Sequence, residues 1–289
     1  MKYEKKQPGR RMLLRIAAGI GAAATVRLIA AEPAAAPTGP AAAPRPPVAA
    51  GPPAAGPPAA APRRPSAYRL QPMVGRAAEA APRRRPALPP VRTRPFEELP
   101  ELGHAMVLTF DDGPDPVYTP QILATLRRHQ VHAMFFLCGE MADDNQDLVR
   151  AIAEDGHVIG NHSWTHPLMT GLTRAEARDE IERTSEVIRR TAGDAPLWFR
   201  APYGAWNRNV FEIGAELNLE PMAWTVDTLD WETPGTDAII SRVLDGAAPG
   251  VVVLSHDAGG NRSQTVEALP QYLPRLIDQG YRLTVPYRT

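Results

Sequence analysis

From about residue 103 onward, short apolar runs alternate with stretches whose apolar residues recur every three or four positions, the pattern of strands interleaved with amphipathic helices. The first run, His104 to Phe110, reads as a buried strand ending in Asp111-Asp112-Gly113-Pro114, where the glycine and proline turn the chain. Six more strands are predicted over 132–137, 157–161, 197–200, 222–226, 251–254 and 281–285. Helices are predicted between them: from Val117 to His129, with Ile122, Leu123 and Leu126 at helical spacing, and from Gln146 to Glu154. A longer one is opened by the capping pattern Thr173-Arg-Ala-Glu176 and ends near Gly193. Alternation at these lengths predicts parallel βα units and an α/β fold.

Upstream the pattern stops. Of 32 prolines, 19 lie between Pro33 and Pro100, among Ala, Gly and Arg with no helical or strand period. Such a segment buries too little apolar surface to offset the entropy of ordering it. Residues 37–101 are therefore expected to be an extended, disordered linker and 102–289 the folded domain. Charge divides at the same place: residues 1–101 hold 17 Lys and Arg against 6 Asp and Glu, and 102–289 hold 15 against 26. The net charge of zero thus describes neither part. Because aromatics are sparse in the basic arm, nucleic-acid binding is set aside in favour of attraction to anionic membrane or envelope polymers.

Residues 1–36 read as an export signal or a retained membrane anchor. Lys2, Lys5, Lys6, Arg10 and Arg11 precede an Ala-rich apolar stretch from Met12 to Ala31, followed by small residues at Ala34 to Ala36. The order Arg10-Arg11-Met-Leu-Leu resembles a twin-arginine signal. Arg15 and Arg27 interrupt the apolar stretch and weigh against a stable membrane span. The single cysteine, Cys138, excludes an intrachain disulfide framework and reads as a small core residue.

Candidate chemistry stands at or just after the C-terminal ends of the predicted strands: Asp111 and Asp112, His162, Arg200, Asp227 and Asp230, and His256. That rim is where α/β folds assemble their sites. Asp112, His162 and His166 supply one carboxylate and two imidazoles, a set suited to zinc or a similar divalent ion with a position open for water. The four-residue histidine spacing predicts both rings on one side of a single helical turn, closed by Pro167. Asp111 is then the available base, with Arg200 as a partner to hold it ionised; His256 is the available acid, with Asp230 to bond its imidazole. The competing reading makes Asp111 and Asp112 caps of the next helix, Asp230 a cap before Thr236, and Arg200 a surface ion pair. Trp231 and Leu254 offer an apolar acyl pocket, or plain core.

Together, Thr109-Phe-Asp-Asp-Gly113, His162-Ser-Trp-Thr-His166, Arg200-Ala-Pro-Tyr203, Asp227-Thr-Leu-Asp230-Trp231 and Leu254-Ser-His256 resemble the five ordered motifs of the polysaccharide deacetylases. This is carbohydrate esterase family 4, with its nodulation-protein-B-like homology domain. The resemblance spans roughly residues 103–289. It implies a distorted (β/α) barrel of about seven parallel strands and a metal-dependent hydrolase that removes acetyl from N-acetylated sugars. By the same resemblance Asp111 is the base and Asp112, His162 and His166 are the metal ligands. Arg200 is then the partner of Asp111, and Asp230 that of the acid His256. The Tyr203 backbone N–H joins the metal in stabilising the tetrahedral oxyanion.

The expected function is an exported N-deacetylase of envelope glycan, peptidoglycan N-acetylglucosamine foremost and chitin oligomers second; an O-acetyl xylan esterase uses the same apparatus. Zinc is the expected metal, with cobalt or another divalent ion as alternates. The expected partners are an N-acetylated polysaccharide and, through the N-terminal segment, a membrane, with no nucleic acid; the expected state is a monomer. Non-haem iron oxygenases share a two-histidine, one-carboxylate set but belong on jelly rolls. A non-catalytic glycan-binding module would lack an acid or a ligand, and none is missing.

Overall fold

The computed structural model describes residues 88–286; the expected export segment, 1–36, and the expected linker as far as residue 87 lie outside the described residues. At the centre is β1 (Ala105–Asp111), buried along its whole length. A strand covered on both faces needs no polar alternation, which is why this run is continuously apolar up to its end. Around it lie β2 (Met134–Leu137), β3 (Val158–Asn161), β4 (Trp198–Phe199), β5 (Glu220–Pro221), β6 (Val226–Asp227), β7 (Val252–His256) and β8 (Arg282–Leu283). The order is β5-β4-β3-β2-β1-β7-β6, with β8 paired to the start of β1, and every ladder is parallel. β5 and β6 end the series without pairing to each other, so the sheet curls into the distorted, incompletely closed barrel expected.

Helices α1 (Thr119–His129), α2 (Gly139–Asp144), α3 (Gln146–Glu154), α4 (Arg174–Ala192), α5 (Arg208–Glu216), α6 (Thr236–Asp245) and α7 (Ser263–Asp278) connect the strands. The capping box before α4 forms as predicted: Thr173 and Glu176 each bond the other's backbone N–H, and Gly193 closes the helix at φ 94°. Alternation along the strands sorts two cores. Met106, Leu108 and Phe110 face outward with Phe135, Val253 and the helix residues Ile122, Leu126 and Leu273. Val107 faces inward with Met134, Phe136, Met222 and Val252. Period two then places Thr109 and Asp111 on the inward face as well, so polarity rises toward the C-terminal rim.

Two expectations change. The folded part begins before residue 102. Phe96 N–H donates to the Pro221 carbonyl (2.9 Å), Ala223 N–H to the Phe96 carbonyl (2.7 Å) and Leu99 N–H to the Gly250 carbonyl (2.8 Å). This segment laces the region after β5 to the approach of β7, while Leu99 is buried in the inner core and Arg92 pairs with Glu220. Apolar residues separated by prolines concealed it from a search for periodicity. The strand predicted over 222–226 is instead two short ones, β5 and β6, with Met222 and Ala223 between them. Their carbonyls accept from the Arg200 side chain, at 3.4 and 2.8 Å, and so are diverted from a regular ladder.

Leu99→Ala in the intact chain is expected to cost about 2–5 kcal/mol, as for other large-to-small core changes. Urea denaturation followed by circular dichroism checks this: the midpoint falls at an unchanged slope. An unshifted midpoint means the segment contributes nothing to the core.

Candidate active site

The β1–β7 register makes Asp111 and His256 partners across adjacent strands, so both side chains point into the barrel at its C-terminal rim. Beside them, directly after β4, Arg200 is fully buried (0% exposed). Its guanidinium donates to Asp111 Oδ1 (2.7 Å) and Thr109 Oγ1 (2.8 Å) and lies 4.1 Å from the Phe136 ring centroid. The surface ion pair considered for Arg200 is thus a buried one. Thr109 was missed in the sequence, although its place two residues before Asp111 on one strand face is the signal for it. Asp111 Oδ2 is left on the site side, 3.6 Å from His162 Nε2.

Asp112 takes a left-handed backbone, φ 75°, as the chain leaves β1. Its Oδ1 stands 3.5 Å from His162 Nε2 and 3.4 Å from His166 Nε2, and the three donor atoms all lie within 4.8 Å of one another. His162 Nδ1 lies 2.8 Å from the Arg200 carbonyl, so it carries the proton and turns the Nε2 lone pair toward Asp112. Asp112 Oδ1 is buried with no hydrogen-bond partner among the described residues. An orphaned carboxylate oxygen facing two imidazole lone pairs fits a divalent cation bound by one oxygen and two nitrogens. Burial works against the Asp112 charge, but His162 and then His256 and His166 outweigh it and bring its pKa down to about 2. Burial, followed by the neighbouring His162, lowers His166, keeping it a neutral potential ligand.

The histidines meet differently from the prediction. Residues 162–166 form no helical turn; Ser163 at φ 67° and His166 at φ 57° are left-handed, and the ring centroids lie 4.9 Å apart. Side chains replace the bonds a helix would have made. Asn161 Oδ1 accepts the Ser163 N–H (2.8 Å), and Glu180 Oε2 on α4 accepts the N–H groups of Trp164 (2.7 Å) and Thr165 (2.8 Å). Sequence spacing alone could not distinguish this turn from a helical one.

On the facing wall, His256 Nδ1 lies 2.6 Å from Asp230 Oδ1, while Asp230 Oδ2 accepts the His256 N–H (2.8 Å) and the Thr265 hydroxyl (2.7 Å). Burial opposes the imidazolium, but Asp230, then Asp112 and Asp111, lift the His256 pKa to about 9. The helix-capping alternatives fail: the residue preceding α1 is Tyr118, and that preceding α6 is Gly235. Tyr203 has φ 60° and is 67% exposed, with its ring centroid 4.6 Å from that of His166. Leu254 is buried two residues before His256 on the inward face, whereas Trp231 is 45% exposed beside Asp230 and is not plain core. Cys138 is a buried thiol, as expected.

Asp257 was also missed. It is fully buried, its Oδ2 accepts the Thr119 hydroxyl (2.5 Å), and its Oδ1 has no partner among the described residues. A Cβ on Gly113 would meet Asp257 Oδ2 at 2.2 Å, so this side chain backs the turn that carries Asp112. Burial pushes its pKa up to about 7, against the Thr119 bond and with help from Asp112 and Asp111.

Comparison with known proteins fits this geometry. A family model described as polysaccharide deacetylase matches residues 100–222. A peptidoglycan-N-acetylglucosamine deacetylase of Bacillus cereus is 42% identical over 183 residues, covering 63% of this chain and 66% of the relative. A chitooligosaccharide deacetylase of Rhizobium leguminosarum bv. trifolii is 38% identical over 200 residues, 65% of this chain and 93% of the relative. Among solved structures, a peptidoglycan N-acetylglucosamine deacetylase in complex with a naphthalenyl N-oxidanyl-benzamide superposes with a TM-score of 0.64. It is 39% identical, and the match covers 66% of this chain and 89% of that one. Asp230 and His256 lie beyond the stretch matched by the family model, and it is the fold that brings them opposite Asp112.

In the metal-free protein the imidazole of His256 is expected to titrate near 9. Asp230→Asn removes the largest opposing influence to burial and should move that midpoint down toward or below the ordinary value of about 6.5. NMR titration of the histidine ring measures it; a midpoint unmoved by Asp230→Asn contradicts the pairing as the cause.

Proposed function

The chain belongs to the polysaccharide deacetylase family and is a hydrolase of carbon–nitrogen bonds, and on that footing we propose that it removes acetyl from N-acetylglucosamine residues of an envelope glycan, peptidoglycan foremost. One observation carries the reading: the Asp112, His162 and His166 donor set is faced by Asp111 and His256 on neighbouring strands. Asp112, His162 and His166 would hold a divalent ion, zinc foremost, since two imidazoles and one carboxylate with a position left open suit it. Such an ion, when bound, supplies Lewis acidity toward the acetyl carbonyl and toward water.

The chain's own residues do the rest. Asp111, with Oδ1 engaged by Arg200, offers Oδ2 to take a proton from the attacking water. The Tyr203 backbone N–H donates to the oxyanion that develops on the carbonyl oxygen. His256, held charged and oriented by Asp230, gives its proton to the departing sugar amine. Acetate and a free amine result. Acid and base thus stand side by side on β7 and β1, and the proton that Asp111 takes from water is matched by the proton that His256 gives to the amine.

Peptidoglycan is supported by the Bacillus cereus relative, and chitin oligomers form a second reading supported by the Rhizobium relative, which aligns over nearly its full length. The basic N-terminus followed by an apolar stretch and a proline-rich segment supports export of the enzyme to the envelope, with that arm near the membrane.

The zinc-loaded protein is expected to release acetate from peptidoglycan or chitin oligomers faster than from acetylated xylan. A preference for the ester moves the assignment to an O-acetyl esterase. Asp111→Asn should lower kcat by on the order of 100- to 10,000-fold with zinc content retained, whereas Asp112→Ala should lose the metal. Equal metal loss in the two variants would show that the division between base and ligand is wrong.

A further inference from the structure

We propose that Arg262 is a positioning residue of the metal centre: it fixes the loop after β7 so that Gly259 presses on one oxygen of Asp112 and the other oxygen is left facing His162 and His166. The proposal rests on the reading of those three residues as metal ligands. Arg262 stands just before α7 and is 4% exposed. Its Nε donates to the Ala258 carbonyl (2.7 Å), one terminal nitrogen to the Gly259 carbonyl (2.9 Å) and the other to the Asn261 carbonyl (3.2 Å). Among the described residues, all its hydrogen bonds go to carbonyls and none to a carboxylate. A buried cation is costly to hold without an opposite charge. Here the planar fork is spent on gripping three acceptors of one short loop, a task the single ammonium of lysine cannot reproduce.

What that loop touches gives the grip its consequence. Gly259 has φ 71° and Gly260 φ 140°, backbone conformations that let these carbonyls converge on the guanidinium. A Cβ on Gly259 would lie 2.4 Å from Asp112 Oδ2, so the glycine backbone packs directly on that oxygen. Oδ1, the oxygen facing His162 and His166, is buried without a hydrogen-bond partner among the described residues. The start of the loop is also tied down, because Asp257 N–H donates to the Asp111 carbonyl (3.1 Å) and the Asp257 side chain backs Gly113. The backbone on either side of Asp112 is therefore tied to this loop, the Asp112 carboxylate packs on Gly259, and Arg262 is the residue that locks that contact. Groups around a metal site that orient its ligands commonly change affinity by about 10- to 100-fold when removed.

The test compares the full-length protein with Arg262→Met, Arg262→Lys and Gly259→Ala. Zinc affinity is measured by competition with a chromophoric chelator, the cobalt-loaded proteins are examined by visible absorption, and folding is checked by circular dichroism. Arg262→Met is expected to weaken zinc binding by about 10- to 100-fold and to alter the cobalt bands, with Arg262→Lys between it and the parent. Gly259→Ala, which leaves the guanidinium in place, should also weaken zinc binding, because its methyl group meets Asp112 Oδ2. A folded Arg262→Met with parental affinity and parental cobalt bands overturns the proposal, as does a folded Gly259→Ala with parental affinity if Arg262→Met does not fold. Failure of the parent itself to bind zinc removes the ligand assignment and the role of Arg262 with it; parental zinc binding without acetate release removes the deacetylase reading alone.

Discussion

A guanidinium with no access to water is the constraint on which this site depends. The cost of burying Arg200 is of order several kcal/mol unless the charge is paired and its N–H groups are satisfied. Asp111, Thr109 and the carbonyls of Met222 and Ala223 meet that demand, with the guanidinium carbon 4.1 Å from the Phe136 ring centroid and 5.5 Å from that of Trp224. Each answer shapes something else. Using the two carbonyls draws Met222 and Ala223 toward the guanidinium in the stretch of chain that separates β5 from β6. Holding Asp111 Oδ1 directs Oδ2 into the site. The Arg200 carbonyl takes the Nδ1 proton of His162 and so selects the nitrogen presented to a metal. One buried residue therefore fixes both the proposed base and a proposed ligand.

The two walls of the site are built to opposite electrostatic ends. On one, the His162 and His166 rings gather around Asp112 Oδ1, which is buried without a hydrogen-bond partner among the described residues. On the other, Asp230 and the neighbouring acids overcome burial and keep His256 charged. Environments that drive titratable groups apart are how a single cleft comes to hold an acid and a base at the same pH. Register supplies the geometry: Asp111 and His256 are strand partners, so their separation is set by the sheet and not by loops that can drift.

Much of this was legible in the chain. Asp111-Asp112 after an apolar run, two histidines four apart, and the Asp230 and His256 segments each fall at a strand end, and strand ends are set by patterns that a sequence carries openly. The histidine turn was less legible. The same spacing serves a helix or a pair of left-handed residues, and the choice is made by Asn161 and Glu180 through bonds that join separate parts of the chain. The burial of Arg200 was hidden because arginine is ordinarily a surface residue, and its partners lie 22 to 91 positions away. Residues 96–99 were hidden because their order comes from tertiary bonding and from the burial of Leu99, neither of which needs a period.

The central claim is that Asp112, His162 and His166 form the metal centre while Asp111, held by Arg200, stands outside it. Anomalous X-ray scattering at the zinc edge from a zinc-loaded crystal tests that directly. The account predicts one strong peak about 2.0–2.2 Å from Asp112 Oδ1 and from the Nε2 atoms of His162 and His166, with both oxygens of Asp111 beyond coordinating distance. A zinc ion ligated by Asp111, or one bound away from these three residues, would contradict it.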